Sequence, residues 1–109
     1  MSIFSDVKHE IGIISEDTAF DLQILKDINL AFGVLYQIGA CDNVTKIDMN
    51  TEWEGLFNDE SIDQFAREYV YLKVRLLFDP PSNSTVLKQL EDQASEYEWR
   101  IYAVNNKKE

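Results

Sequence analysis

The chain has little of several residue types on which other classes of protein depend. Its 109 residues include one cysteine, one histidine, two prolines and four glycines. The single cysteine, Cys41, cannot form an internal disulfide, which excludes a disulfide-stapled secreted scaffold and favours a reducing compartment. The single histidine, His9, excludes metal sites built on two histidines. Few glycines and prolines, together with 45% hydrophobic residues, exclude a linker-rich chain and predict one globular domain.

Basic side chains are also scarce. The chain has 20 acidic and 10 basic residues and a formal net charge of −10. The imbalance is local, because residues 1–60 hold twelve acids and three bases, whereas residues 61–109 hold eight and seven. Phosphate binding depends on lysine and arginine, so the isolated subunit is not expected to bind nucleic acid or an anionic membrane surface.

Long hydrophobic runs are missing as well. No apolar stretch approaches the roughly 18 residues that cross a bilayer, and the N-terminus lacks the basic region of a signal peptide. The sequence therefore predicts no membrane partner and synthesis in the cytoplasm.

The sequence contains no recognisable catalytic or metal-binding motif. A glycine-rich phosphate loop, zinc-ligand spacing and a nucleophile elbow are all missing. The acids between Asp48 and Glu60 are dense, but their spacing differs from that of a calcium loop and the glycine of a sharp ligand turn is missing. His9 reads as a solvated surface residue and Cys41 as a half-buried turn residue. We expect no enzyme, no metal and no cofactor.

Hydrophobic periodicity predicts an all-α fold, a small bundle of about four helices with an irregular segment over residues 40–60. In that segment Thr51 and Glu54 fit a capping box that would start one short helical turn. We expect a single domain over 1–104 and a polar tail over 105–109. The predicted helices are a short one capped by Ser5 and ending at Gly12, one from Asp17 or Thr18 to Gln37, one from Ser61 to Phe78, and one from Ser82 or Ser84 to about Tyr102.

Residues 69–78 of the third helix are rich in β-branched and aromatic side chains, so local preference alone would also fit a strand there. The helical stretch 63–68 before it decides in favour of one long helix. A helix that is apolar most of the way round is central in its bundle or packs on two partners. Asp79-Pro80-Pro81 ends it, since the residue before a proline avoids the α region.

Trp99 is the first candidate for a contact with another molecule. It lies about 200° around the helix axis from Tyr97 and Ile101 on α-helical spacing, so it points away from the apolar stripe. Trp99, Arg100 and Tyr102 have the composition of an interface hot spot. The alternative is that Trp99 covers a neighbouring helix of the same chain.

Three segments resemble the head-tail connector (head-completion, adaptor) proteins of long-tailed double-stranded DNA bacteriophages and prophages. They are the run 69–81, ending in Asp79-Pro80-Pro81, the end of the last helix over 96–101, and the opening 6–13. The resemblance spans nearly the whole chain and rests on overall pattern, since none of the three is a catalytic signature.

The resemblance implies a structural virion protein of the neck, made in the host bacterial cytoplasm. Such a protein would form a ring beneath the portal, dodecameric to follow portal symmetry. The ring would extend the DNA channel without binding DNA specifically, and would offer a docking surface to the stopper or tail-completion protein. The segment after the last helix would reach the portal, with Lys107 and Lys108 as its bases.

Two hypotheses follow from the acidity. If the N-terminal half faces the channel, its acids repel DNA phosphates; the candidates are Asp42, Asp48, Glu52 and Glu54. The alternative function is an acidic DNA-mimic inhibitor of a host DNA-acting enzyme, although its carboxylates crowd into loops and helix starts. A regulatory helical subunit of a larger complex is a third possibility.

Overall fold

The computed structural model describes residues 2–43 and 46–106. Within these residues the chain forms four α-helices and no β-strand, which confirms the predicted all-α bundle. A single 3-10 turn, Glu60–Ile62, leads into the third helix. The helices are α1 (Ile3–Glu10), α2 (Asp21–Gln37), α3 (Asp63–Phe78) and α4 (Ser84–Asn106).

Helix α3 is the centre of the bundle, as its apolar circumference predicted, and it packs against both α2 and α4. Both neighbours are antiparallel to it. The start of α2 meets the end of α3, where the rings of Phe20 and Phe78 lie 5.4 Å apart. The end of α4 meets the start of α3, where the rings of Phe65 and Tyr97 lie 6.0 Å apart.

The molecule is a flat slab, with principal extents of 44 × 35 × 17 Å. Its accessible surface is 6854 Å², whereas a monomeric protein of this mass exposes about 6,200 Å². The slab therefore leaves about 600 Å² more surface exposed than a compact monomer of equal mass.

The starts of the helices differ from the sequence-based expectation. Helix α1 is capped by Ser2, whose Oγ accepts a hydrogen bond from the Ser5 backbone N–H at 3.1 Å, rather than by Ser5. Helix α2 begins at Asp21, because the Asp17 carboxylate accepts from the Ala19 N–H and holds a local turn instead. Helix α4 is capped by neither predicted serine, and Asn83 Oδ1 accepts from the N–H groups of residues 85 and 86.

The ends of α2 and α3 lie where the sequence placed them. Gly39 follows α2 at φ +92°. The Ala40 N–H donates to the Leu35 carbonyl and the Gly39 N–H to the Tyr36 carbonyl, a Schellman arrangement. Helix α3 stops at Phe78, directly before the Asp-Pro-Pro run.

The segment 46–57 contains no helical turn, so the predicted capping box is wrong. The Thr51 hydroxyl instead donates to the Asp48 carboxylate and accepts from the Asp48 N–H, which closes a loop. Trp53 is 2% exposed and packs against the rings of Phe32, Phe57 and Tyr71. This irregular segment therefore completes the core.

Helix α4 runs beyond the predicted end at Tyr102, through Asn106. The Asn105 side-chain amide donates to the Ile38 carbonyl at 3.3 Å, which holds the last turn against the end of α2. Residues 107–109 lie outside the described part of the chain, so the division into a 1–104 domain and a 105–109 tail stays a prediction.

Candidate assembly surfaces

Trp99 and Tyr102 form an exposed aromatic pair on the outer face of α4. Trp99 is 63% and Tyr102 45% exposed, and their ring centroids lie 6.2 Å apart. Ile101, between them in sequence, is completely buried against the core. The angular argument from the sequence is confirmed, and the alternative that Trp99 covers a neighbouring helix of this chain is wrong.

Arg100, predicted with this pair, is engaged within its own chain. Its guanidinium contacts the Glu96 carboxylate at 2.8 Å and lies 5.5 Å from the centroid of the Phe65 ring. Arg100 therefore anchors α4 on α3 and neighbours the aromatic pair. Lys107 and Lys108, the other predicted contact residues, lie outside the described residues.

A groove of about 650 Å³ lies between α1 and the loop 11–20. We call it the N-terminal groove; Phe4, Ile13 and Ile14 are its main apolar lining. Lys8 lies beside it with a side chain only 6% exposed, and its ammonium donates to the Ser15 carbonyl at 3.1 Å and to Asp21 at 2.9 Å. Lys8 thus ties the loop to α2 and fixes the shape of the groove.

Exposed apolar side chains lie on the groove lining or next to it in sequence, because Ile14 lines the groove and Phe20 and Leu22 flank the lining residue Asp21. Ile14 is 68%, Phe20 49% and Leu22 79% exposed; we call these three the groove rim. Sequence reasoning missed both features. The rim and the lining come from α1, a loop and the start of α2, so no single periodic pattern connects them.

The four acids assigned to the channel, Asp42, Asp48, Glu52 and Glu54, are all exposed. The Asp48 carboxylate accepts from the Asn50 N–H at 2.8 Å and from the Thr51 hydroxyl at 2.9 Å, and these bonds lower its pKa. Asp42 accepts from the Asn58 side chain at 3.1 Å. All four can therefore present negative charge to a neighbouring polyanion.

The acidic surface extends beyond the four predicted channel acids. Glu54 shares a pocket of about 470 Å³ with three acids at the start of α3, Asp59, Glu60 and Asp63. Arg67 partly offsets this charge, because its guanidinium contacts Asp63 at 3.0 Å and lies 5.1 Å from the Trp53 ring centroid.

His9 and Cys41 are the two other residues that were considered for chemistry. His9 is exposed, as predicted, whereas Cys41 is 6% exposed and so more buried than expected. Across residues 2–43 and 46–106, no three histidine, cysteine or carboxylate side chains come together as a metal site. Within the same ranges, no helix combines the length and apolarity needed to cross a membrane.

Comparison with known proteins identifies the family of this chain. A family model described as phage connector protein matches residues 3–108. The chain belongs to the phage connector protein family. The predicted head-tail connector resemblance is thereby confirmed, and the match also spans the irregular segment over residues 40–60. No curated protein matches the connector, and no solved structure does.

Proposed function

We propose that this connector forms a ring beneath the portal, extends the DNA channel and offers a docking surface to the stopper or tail. Membership of the phage connector family gives it a structural role in the virion. The observation that carries the ring is the exposed aromatic pair on α4, because aromatic side chains left open on a small domain mark a site of association. The subunit number we propose is twelve, to follow the portal.

The flat shape supports the same assignment. A slab 17 Å thick exposes both broad faces, and a ring of slabs can cover one face with a neighbour and leave another free for the portal or the stopper. Like charges at net −10 repel one another between subunits, so apolar contacts must drive closure. Exposed apolar side chains beside both ends of α3 supply such contacts.

The acidic loops suit the channel wall. Asp42, Asp48, Glu52 and Glu54 are exposed and belong to the half of the chain with net charge −9. Carboxylates facing the channel would repel DNA phosphates, so DNA would pass without lasting contacts. Lys107 and Lys108 are our proposed bases for contact with the portal.

Co-expression with the portal protein of the same phage, followed by affinity purification and electron microscopy, tests the proposal. We expect a ring stacked coaxially on the portal, with density at the end of α4 directed toward it. A connector that never co-purifies with the portal contradicts the assignment. A monomer that competes with DNA for a host enzyme would instead support the DNA-mimic alternative.

The channel position of the acids has its own test. A variant neutralised at the four positions, Asp42→Asn, Asp48→Asn, Glu52→Gln and Glu54→Gln, should retain DNA in the assembled neck at low salt. The matched control neutralises four other exposed acids, Glu10, Glu16, Glu68 and Glu91, and should retain less. Equal retention by the two variants would place the four acids outside the channel.

A further inference from the structure

The aromatic pair and the N-terminal groove lie at opposite ends of α3, and the described residues cover neither. The pair lies beside the start of α3, because Arg100 contacts the Phe65 ring. The groove rim lies beside its end, because the rings of Phe20 and Phe78 touch. Phe65 and Phe78 are thirteen positions apart on the helix, about 20 Å. A subunit therefore cannot place its own pair in its own groove.

The groove has the size and character to receive the pair. Its volume, about 650 Å³, falls within the roughly 300–1,000 Å³ of pockets that bury a compact apolar ligand. Phe4, Ile13 and Ile14 supply apolar walls. The bonds of Lys8 to Ser15 and Asp21 hold these walls in place before binding, which lowers the entropy cost of association.

The exposed area agrees with a contact between two copies. The exposed fractions of the pair and the three rim residues amount to about three whole large side chains, roughly 600 Å² at about 200 Å² each. The smallest stable interfaces bury about 1,200 Å², a little over half of it apolar. These five side chains therefore provide nearly all the apolar area that such an interface needs.

We propose that Trp99 and Tyr102 of one copy occupy the N-terminal groove of the next copy and pack on its rim. This inference rests on the proposed ring and names its subunit contact. Each copy gives one surface and receives the other, so the contact is heterologous. A heterologous contact repeats from copy to copy and forms a ring where the rotation between copies closes, whereas a twofold contact stops at a dimer.

Two variants separate the halves of this contact. The pair variant carries Trp99→Ala and Tyr102→Ala, and the groove variant carries Ile14→Glu and Leu22→Glu. All four positions are exposed, so both should keep wild-type circular dichroism and thermal midpoints. If the glutamate groove variant does not fold, the milder groove variant Ile14→Ser with Leu22→Ser replaces it. Leu30→Glu, at a 49% exposed position elsewhere on α2, is the control.

Sedimentation velocity over a concentration series provides the first readout. Wild type and the Leu30 control should assemble beyond the dimer, and each double variant alone should stay monomeric. An equimolar mixture of the two should form a heterodimer that grows no further, because only one intact contact remains. A wild type that stays monomeric at the highest concentration overturns the proposal.

Cysteine cross-linking provides the second readout and captures weak complexes. Ser5 lines the groove and Ser95 lies on the exposed face of α4, one turn before Trp99. With Ser5→Cys in the pair variant and Ser95→Cys in the groove variant, a flexible bismaleimide should link the two. The matched control exchanges the cysteines between the variants and should not cross-link. Equal cross-linking in both arrangements contradicts the assigned contact.

Portal binding by the same variants distinguishes this inference from the proposed function. If the connector binds the portal but fails the mixing and cross-linking tests, the proposed function stands and the proposed subunit contact is contradicted. If it passes both tests but never binds the portal, the subunit contact stands and the proposed function is contradicted.

Discussion

The hydroxyl of Tyr69 on α3 donates a hydrogen bond to the Glu98 carboxylate on α4 at 2.8 Å. Tyr69 is completely buried, and burial together with the neighbouring carboxylate raises the pKa of its hydroxyl. The phenol therefore remains protonated, and remains a donor, throughout the ordinary pH range. The bond fixes the register of α4 on α3 one residue before Trp99, so it positions the aromatic pair.

Replacing Tyr69 by phenylalanine should lower the free energy of unfolding by about 1.5 kcal/mol, because a hydrogen bond to a charged group is lost in a buried site. Urea denaturation followed by circular dichroism measures the change. The control is Tyr97→Phe, which removes a hydroxyl that accepts an exposed hydrogen bond from Gln93 and should cost less than about 0.5 kcal/mol. Equal losses would show that the Tyr69 bond does not stabilise the helix contact.

Replacing Lys8 by methionine should destabilise the fold by about 2–3 kcal/mol, because the Asp21 carboxylate is left without its ammonium in a site that is largely shielded from water. Urea denaturation gives the loss, and hydrogen exchange should quicken in the loop 11–20. Lys88→Met removes an exposed pair with Asp92 and should cost less than about 0.5 kcal/mol. If Asp21→Asn added to Lys8→Met restores no stability, the two residues are not coupled.

Asp27 is a buried carboxylate that should weaken the fold at neutral pH. It is 2% exposed, its Oδ1 accepts from Gln23, and its Oδ2 has no partner. Burial raises its pKa above the ordinary 3.8. The folded state therefore takes up the proton before the unfolded state does. Its contribution to stability rises as pH falls through the raised pKa toward 3.8.

Asp27→Asn should therefore be more stable than wild type at pH 7, and its advantage should shrink as the pH falls toward 4. Urea midpoints of the two proteins at several pH values give this difference, in which the titration of the other acids cancels. An advantage independent of pH would mean that folding does not raise the pKa of Asp27.

Cys41 should be protected from alkylation in the native protein. Burial raises the pKa of its thiol to about 11, so very little reactive thiolate is present at pH 8. A thiol reagent should react slowly with the folded chain and at least a hundredfold faster in 6 M guanidinium. Rapid native reaction would mean that the turn after α2 opens readily.

Helical periodicity predicted the elements of this fold but not their first residues. The apolar circumference of α3 predicted its central place in the bundle, and the Asp-Pro-Pro run predicted its end. Both signals depend on residues that are close together in the sequence. Ser5 was the predicted cap of α1 and Ser2 is the observed one. The Ile3 N–H, next to Ser2, donates to the distant Thr51 carbonyl. Such a contact cannot be predicted from spacing along the chain.

The two surfaces of the proposed subunit contact also differed in how far the sequence predicted them. Trp99 was recognisable from its helical angle alone, because it lies on a regular element. The groove was not, because Lys8 has the sequence context of a surface lysine on a short amphipathic helix. Its burial follows from the loop that folds over it and from Asp21, thirteen residues further along the chain.

The Trp53 indole N–H donates to the Asp6 carboxylate at 2.8 Å across 47 residues of chain. Closing so long a loop costs entropy before the contact stabilises anything. Helix α1 therefore has no finished place to dock until the segment around Trp53 has been made and positioned. Helix α1 leaves the ribosome before that segment but should be among the last elements to become ordered. In hydrogen exchange, α1 and residues 46–57 should open together as one unit.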